Sequence, residues 1–390
     1  MERSAGGVNR GYRSSRVPFR RVLVDRGVEG DEIVRSILRR VGTRDVRWVD
    51  GREEVEAELG TGRDLIGRGK QVLYLARRRG GFLKHCPGSP GQVCCGYRIL
   101  NLFSNCPFRC TYCILQSYLT FQPITLYVNI DEAVDEIMSL SQGSPSEIFR
   151  VGTGELGDSL ALEPVVPLAG RLIGSLRSLD NVILELKTKS NHVDCLLDVE
   201  HGGKVIVSWS LAPEGLTRRE EPGTASLAER LEAAVRVEEA GYRLGFHLDP
   251  IVRYPGWEDD YRLLLDRLFD SIEPGHVVWL SLGCLRFPPA LKEIVLDRIQ
   301  RPMIFLDEFV PCPDGKMRYL RAVREDTYGK VMSWIRDLAP GLEVYLCMES
   351  PLVWENVFGV KPSGNGWLSG RLDLAALREG SHLQAEAGCS

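Results

Sequence analysis

"KVIVSWSL" (204–211), "SLAERLEAAVRVEEAG" (226–241) and "RLGFHLDPIV" (243–252) decide the fold class. The outer two are short runs rich in β-branched and aromatic residues, of strand length, while the middle one repeats apolar residues at helical spacing. Strand, amphipathic helix and strand in that order make a crossover, which pairs the two strands in parallel through a right-handed connection. The unit recurs on both sides. "YRILNLF" (97–103), "EIFRVGTGE" (147–155) and "NVILELKT" (181–188) read as strands before it, and "HVVWLSLG" (276–283) as one after it. "NIDEAVDEIMSL" (129–140), "LEPVVPLAGRLIGSL" (162–176), "VDCLLDV" (193–199) and "WEDDYRLLLDRLFDSI" (257–272) read as the intervening helices. At least six such units predict an α/β fold, either a partial (β/α)6 TIM-type barrel or a doubly wound sheet. The barrel is favoured because candidate functional residues recur at the C-terminal ends of successive strands.

Upstream, "RRVLVD", "DEIVRSILRRV", "DVRWVD" and "QVLYLA" predict a small strand–helix–strand unit closed by a further strand. The expected division is a flexible basic arm at 1–19, a small N-terminal α/β domain at 20–90, the partial barrel at 91–310, a C-terminal segment with a basic hairpin at 311–375, and a disordered tail at 376–390. With 44% hydrophobic residues in 390 and a net charge of -4, the composition is that of a globular chain. No apolar run reaches the roughly 20 residues of a membrane span, and Met1 to Arg21 has no apolar signal core, so a cytoplasmic location is expected. Residues 1–98 carry a net +9 against -13 for the remainder. That asymmetry permits contact with nucleic acid and equally suits a solvated Arg-rich surface.

Eleven cysteines occur in the chain, three of them within "NCPFRCTYCILQ" (105–116). Cys106, Cys110 and Cys113 have the spacing C-x3-C-x2-C in a loop after a barrel-type strand. Structural zinc takes four ligands, and three such close cysteines make an unusual catalytic zinc site. Three thiolates suit a four-iron cubane, holding three irons and leaving the fourth open to a chelating molecule. A zinc knuckle and incidental thiols remain as alternatives. "KHCPGSPGQVCCGY" (84–97) contributes Cys86, Cys94 and Cys95, which could ligate another cluster, donate hydrogen, or be buried apolar residues.

C-x3-C-x2-C with an aromatic residue before the last cysteine resembles the radical S-adenosylmethionine superfamily. "CPFRCTYCILQ", "YVNIDEAVDEI", "KTKSNHVDCLLD", "WSLAPE", "EPGTASLAERLEAAVRVEEAGYRLGFHLDPIVRYPGWEDDY" and "RYLRAVREDTYGK", in that order over about residues 95–350, resemble the spore photoproduct lyase family more narrowly. The resemblance implies a [4Fe-4S] cluster on the three cysteines. The reduced cluster would chelate S-adenosylmethionine and cleave it to methionine and a 5′-deoxyadenosyl radical, which abstracts hydrogen from an unactivated carbon. The implied protein partner is an external electron donor such as flavodoxin or ferredoxin.

The same resemblance implies roles for individual residues. Lys189 pairs with the cofactor carboxylate, and Gly152, Gly154 and Glu155 of "GTGE" bind its amino group. Ser210 contacts the ribose, although Ala212 stands where the family has asparagine. Tyr112 matches a family aromatic that packs over the cluster or transfers a radical. Lys316, Arg318, Tyr319 and Arg321 match a basic hairpin that meets DNA, with a solvated charged helix as the alternative. Two departures stand out. The family's hydrogen-donor cysteine has no counterpart in "RVGTGELGD" (150–158), where Glu155 lies near its place, and Ile114 replaces a tyrosine after Cys113. The family's hydrogen relay therefore does not carry over, and repair of authentic spore photoproduct is expected to be poor. The implied function is radical chemistry on a DNA base or lesion. The alternatives are the same chemistry on RNA, a peptide or a small molecule, and a noncatalytic iron–sulfur module.

Overall fold

The structure, a computed structural model, describes residues 19–62, 64–364 and 366–378. Apart from Phe19, the expected basic arm lies outside the described residues, as does the tail beyond Arg378. Residues 376 and 377 are not tail but the last turn of a helix, Trp367–Leu377, whose Asp373 holds the buried Arg150 side chain at 2.7 Å.

An eight-stranded sheet forms the barrel wall. Its order is Val344–Leu346, Val277–Cys284, Arg243–Ile251, Val205–Ser210, Val182–Thr188, Phe149–Gly152, Arg98–Leu100 and Leu83–His85. All neighbours are parallel except the last pair. The six strands from Arg98 to Cys284 form the partial barrel read from the sequence. Val344–Leu346 is a seventh parallel strand, too short to register as a period, so the C-terminal segment completes the sheet instead of merely following it. Among the described residues the two end strands are unpaired with each other, and the barrel is open.

The crossover helices include Ile130–Gly143, Leu227–Glu239 and Trp257–Ser271. Ser226 and Glu229 form a reciprocal cap at the start of the second, which fixes where that helix begins. Two expected helices differ. The run at 162–176 is helical only over Ala169–Leu176, because Pro164 and Pro167 cannot donate the interior hydrogen bonds a longer helix requires. The run at 193–199 is a series of tight turns, pinned by Leu196 N–H to the Val193 carbonyl and Val199 N–H to the Leu196 carbonyl.

The expected division at residue 90 does not follow the sheets. A second sheet has the order Val46–Val49, Arg21–Asp25, Val72–Ala76, Ile124–Tyr127 and Phe103–Ser104. "YRILNLF" breaks at Asn101: Arg98–Leu100 belongs to the barrel wall, and Phe103–Ser104 pairs antiparallel with Ile124–Tyr127 in the small sheet. The cysteine loop thus leaves a strand of the small sheet and returns to one, which suspends it across the barrel mouth. Inside the barrel, Glu185 accepts from Ser208 at 2.6 Å and lies 3.0 Å from His247. Burial raises this carboxyl, but hydrogen bonding and charge from His247 overcome it and hold it at about 2. Among the described residues no helix is long and apolar enough to cross a membrane.

Candidate active site

The C-terminal ends of the parallel strands meet the cysteine loop around one cavity of about 290 Å³. Gly154 and Glu155 enter it after the strand ending at Gly152, Lys189 after Thr188, Ser210 at its strand end, and Asp249 and Leu285 from the next two. Cys106, Cys110, Tyr112 and Cys113 close it from above.

Fixed contacts hold the cysteine loop in place. Asn105 has φ 72°, a left-handed turn that asparagine tolerates, and its side-chain carbonyl accepts from Cys106 N–H at 2.8 Å. The buried Lys70 ammonium donates to the Cys106 and Phe108 carbonyls at 2.7 and 2.6 Å. On the other side, Arg109 and Thr111 N–H groups bond the Pro222 and Glu220 carbonyls, and Gln116 donates to the Cys110 and Thr111 carbonyls. The sequence reading missed Lys70, because nothing local marks a lysine 35 residues upstream as a loop anchor.

Cys106 and Cys110 are buried against Phe108 and Ala161, and Cys113 is half-buried beside them. Burial pushes the Cys106 thiol well up and Cys110 up to about 12, so loading a metal there must release protons. Among the described residues no three His, Cys, Asp or Glu side chains converge as one ion would require. Three thiols that line one cavity are the donors a polynuclear cluster would need, each binding its own iron.

The remaining predicted residues divide. Lys189 lines the cavity with its ammonium 5.7 Å from the centre of the Tyr112 ring, and its backbone N–H is held by Asp158 at 2.7 Å. Ser210 lines the cavity too, and its carbonyl accepts from Arg230 at 2.8 Å. Tyr112 hydroxyl donates to Glu221, which is paired at 2.5 Å with the fully buried Arg230. Glu155 is paired with Lys187 at 2.5 Å. Burial lowers that lysine, but the Glu155 and Glu185 carboxylates outweigh it and raise it overall. Gly154 needs its missing side chain, since a Cβ would meet Lys187 Cβ at 2.8 Å. Gly152 does not line the cavity. It is strand, and its missing side chain makes room for the Tyr97 hydroxyl, so its role there is packing.

The expected basic hairpin is short. Val310–Pro311 pairs with Met317–Arg318, and from Arg321 to Leu338 the chain is helix. Arg318 is buried, donating to Asp314 at 2.6 Å and to the Met348 carbonyl. Tyr319 is fully buried, stacked on Phe309 at 4.6 Å, and its hydroxyl accepts from Arg253 N–H. Neither is available to a duplex: the alternation of charge and aromatic looked like a surface ladder, but burial of both side chains removes them from it. Lys316 reaches the cavity wall and donates to Ser89 Oγ at 2.6 Å, and Arg321 is exposed. Three further residues went unnoticed in the sequence. Asp158 organises the turn before Lys189 by accepting from Leu160 and Ala161 N–H groups and from the Thr188 hydroxyl. Asp249 and Arg286 form a two-bond ion pair at 3.0 and 2.9 Å on the cavity wall.

A family model described as spore photoproduct lyase matches residues 93–310. The spore photoproduct lyase of Bacillus subtilis (strain 168) is 32% identical over 208 residues, covering 53% of this chain and 61% of its own. That of Geobacillus sp. (strain Y412MC61) is 32% identical over 210 residues, covering 53% and 62%. The chain thus spans about three fifths of the length of these curated relatives. Two solved structures of spore photoproduct lyase, one a cysteine-to-alanine variant and one complexed with dinucleoside spore photoproduct, are 25% identical to it. Each covers 84% of this chain and 99% of its own, with TM-scores of 0.75 and 0.74.

Proposed function

Since the chain belongs to the spore photoproduct lyase family, we propose that it is a radical S-adenosylmethionine enzyme acting on a lesion or base in DNA, with its [4Fe-4S] cluster on Cys106, Cys110 and Cys113. The observation that carries this reading is the single cavity shared by three thiols and Lys189 at the C-terminal ends of the barrel strands. Cluster and S-adenosylmethionine together supply a 5′-deoxyadenosyl radical, which the protein's side chains could not generate.

The chain's own residues bind, orient and exclude water. Lys189 receives the cofactor carboxylate as a charge-assisted partner. Asp158 and the Tyr112 ring hold that lysine in position. Gly154 lets the backbone approach the amino group, with Glu155 oriented by Lys187. Ser210 offers a hydroxyl to the ribose, and the buried Ala212 leaves the ribose without the second contact the family makes. Phe108, Leu115 and Leu285 supply the apolar part of the lining that keeps water from a reactive intermediate. At about 290 Å³ the cavity sits just below the roughly 300–1,000 Å³ usual for small-molecule sites, so a duplex cannot enter it and a reacting base would have to be turned out of the stack. Of the expected hairpin residues, Lys316 at the wall and the exposed Arg321 are the cationic groups left for DNA phosphates. An external electron donor such as flavodoxin or ferredoxin would supply the electron that such a cluster needs.

Lys189 gives the direct test. Losing one charge-assisted contact costs about 1.5–3 kcal/mol, so Lys189→Ala should weaken S-adenosylmethionine binding roughly tenfold to a hundredfold while iron content stays at the unaltered level. Unchanged affinity would show that the carboxylate is held elsewhere.

A further inference from the structure

A second cavity, of about 250 Å³, lies beside the first and is lined by four of the ten described cysteines: Cys86, Cys94, Cys95 and Cys347. Three come from the loop between the antiparallel strands Leu83–His85 and Arg98–Leu100, and the fourth follows the end of Val344–Leu346. The loop is built to stay in place. Cys86 N–H closes it on the Tyr97 carbonyl, Val93 N–H bonds the Glu349 carbonyl, and Gly88, Gly91 and Gly96 take the left-handed turns that residues with side chains avoid. The two cavities share Met348, and Lys316 reaches from the wall of the first to Ser89 in the lining of the second. Arg286 donates to both Met348 and Cys347 sulfurs.

We propose that this chamber is a dithiol–disulfide site whose dithiol form stores two reducing equivalents beside the reaction cavity and gives them up when Cys94 attacks a low-molecular-weight disulfide and Cys86 resolves the mixed disulfide. Several observations assign the roles. Cys94 is the exposed member, the one that an incoming disulfide can reach. Gly96 N–H donates to its sulfur at 3.5 Å. The neighbouring Cys95 thiol, with the Gly96 N–H, pulls Cys94 down to about 5, while Cys94 and burial push Cys95 up. Cys95 is a poor resolving group, because adjacent Cα atoms stand about 3.8 Å apart while a disulfide spans about 4.4–6.8 Å. Cys86 lines the same cavity from the start of the loop, eight residues before Cys94.

The exchange balances without a further reagent. The Cys94 thiolate attacks one sulfur of glutathione disulfide, forming a mixed disulfide and expelling one glutathione thiolate. Cys86 then loses its proton to solvent and attacks the Cys94 sulfur, expelling the second. Two protein thiols become one disulfide, and one glutathione disulfide becomes two thiols. The site is independent of the function proposed above, since neither the cluster nor S-adenosylmethionine takes part.

The experiment is an anaerobic titration of the cluster-loaded full chain in glutathione redox buffers, with alkylation and peptide mass mapping to follow each cysteine. The expected product is a Cys86–Cys94 disulfide that reverts on raising reduced glutathione, with Cys86→Ser trapping a Cys94–glutathione adduct and Cys347→Ser leaving the exchange intact. On the unaltered protein, the iodoacetamide rate at Cys94 should change less than about twofold between pH 6 and 8, whereas an ordinary thiol of pKa about 8.5 rises about seventyfold. The proposal is overturned if Cys94 stays reduced throughout, if its disulfide forms undiminished in Cys86→Ser, or if its alkylation follows the ordinary thiol.

Discussion

Replacing Cys110 with alanine should abolish reductive cleavage of S-adenosylmethionine and leave the chain folded. The side chain packs against Phe108 and Ala161 in a small cluster apart from the main core, so losing one sulfur there costs about 1 kcal/mol. Its function is less replaceable. With three cysteines available, each must hold its own iron, and among the described residues the cavity lining holds no fourth cysteine to substitute. Removing mere outer partners of a metal site already costs roughly ten- to a hundredfold, so loss of a ligand should exceed a hundredfold. The check is 5′-deoxyadenosine release under dithionite, run beside circular dichroism and iron content. Full activity in Cys110→Ala would remove the loop from the site altogether.

The second large effect is on stability. Arg230 is fully buried and donates to Glu221, to Thr224 Oγ1 and to the carbonyls of Ala225 and Ser210. Glu221 in turn accepts from the Tyr112 hydroxyl, so one guanidinium ties the cysteine loop, the fourth barrel strand and the start of the next helix together. Breaking a buried pair from one side typically costs about 3–5 kcal/mol, because the remaining charge has neither partner nor water. Arg230→Met should therefore lower the unfolding free energy measured in urea by that amount, and adding Glu221→Gln should recover part of it by making the orphaned group neutral. The pH dependence has a definite sign. Burial pushes the Glu221 carboxyl up and Arg230 opposes it. Without the arginine its folded pKa lies further above the unfolded value, the folded state binds the extra proton, and stability falls as pH rises. The deficit of Arg230→Met should thus be smaller at pH 5 than at pH 8. A loss below about 1 kcal/mol at both would mean that the pair contributes little.

Much of the architecture was legible because it rests on local periodicity. Six strands of the barrel and three long helices are where alternating apolar runs put them, and Lys189, Ser210, Gly154 and the three cysteines all reach one cavity because strand ends converge in this topology. What escaped the sequence depends on distant partners. Nothing local distinguishes Arg318 or Tyr319 from exposed residues, and their burial is decided by Asp314, Met348 and Phe309. Asn101 splits one apolar run between two sheets, a choice made by strand partners and not by composition. Cys347 joins Cys86, Cys94 and Cys95 only once the seventh strand is laid beside the sixth. The departures at Glu155 and Ile114 have distinct physical settings: the first is tied up by Lys187, and the second is exposed at the cavity rim.

The most direct measurement reconstitutes the full chain anaerobically, reduces it with dithionite, and follows 5′-deoxyadenosine release and lesion loss together on a panel of oligonucleotides, undamaged and carrying thymine photoproducts. The account predicts cleavage that depends on Cys106, Cys110 and Cys113 and rises severalfold with a damaged oligonucleotide in step with loss of its lesion. Cleavage indifferent to every DNA in the panel, or none from a fully cluster-loaded chain, would contradict it.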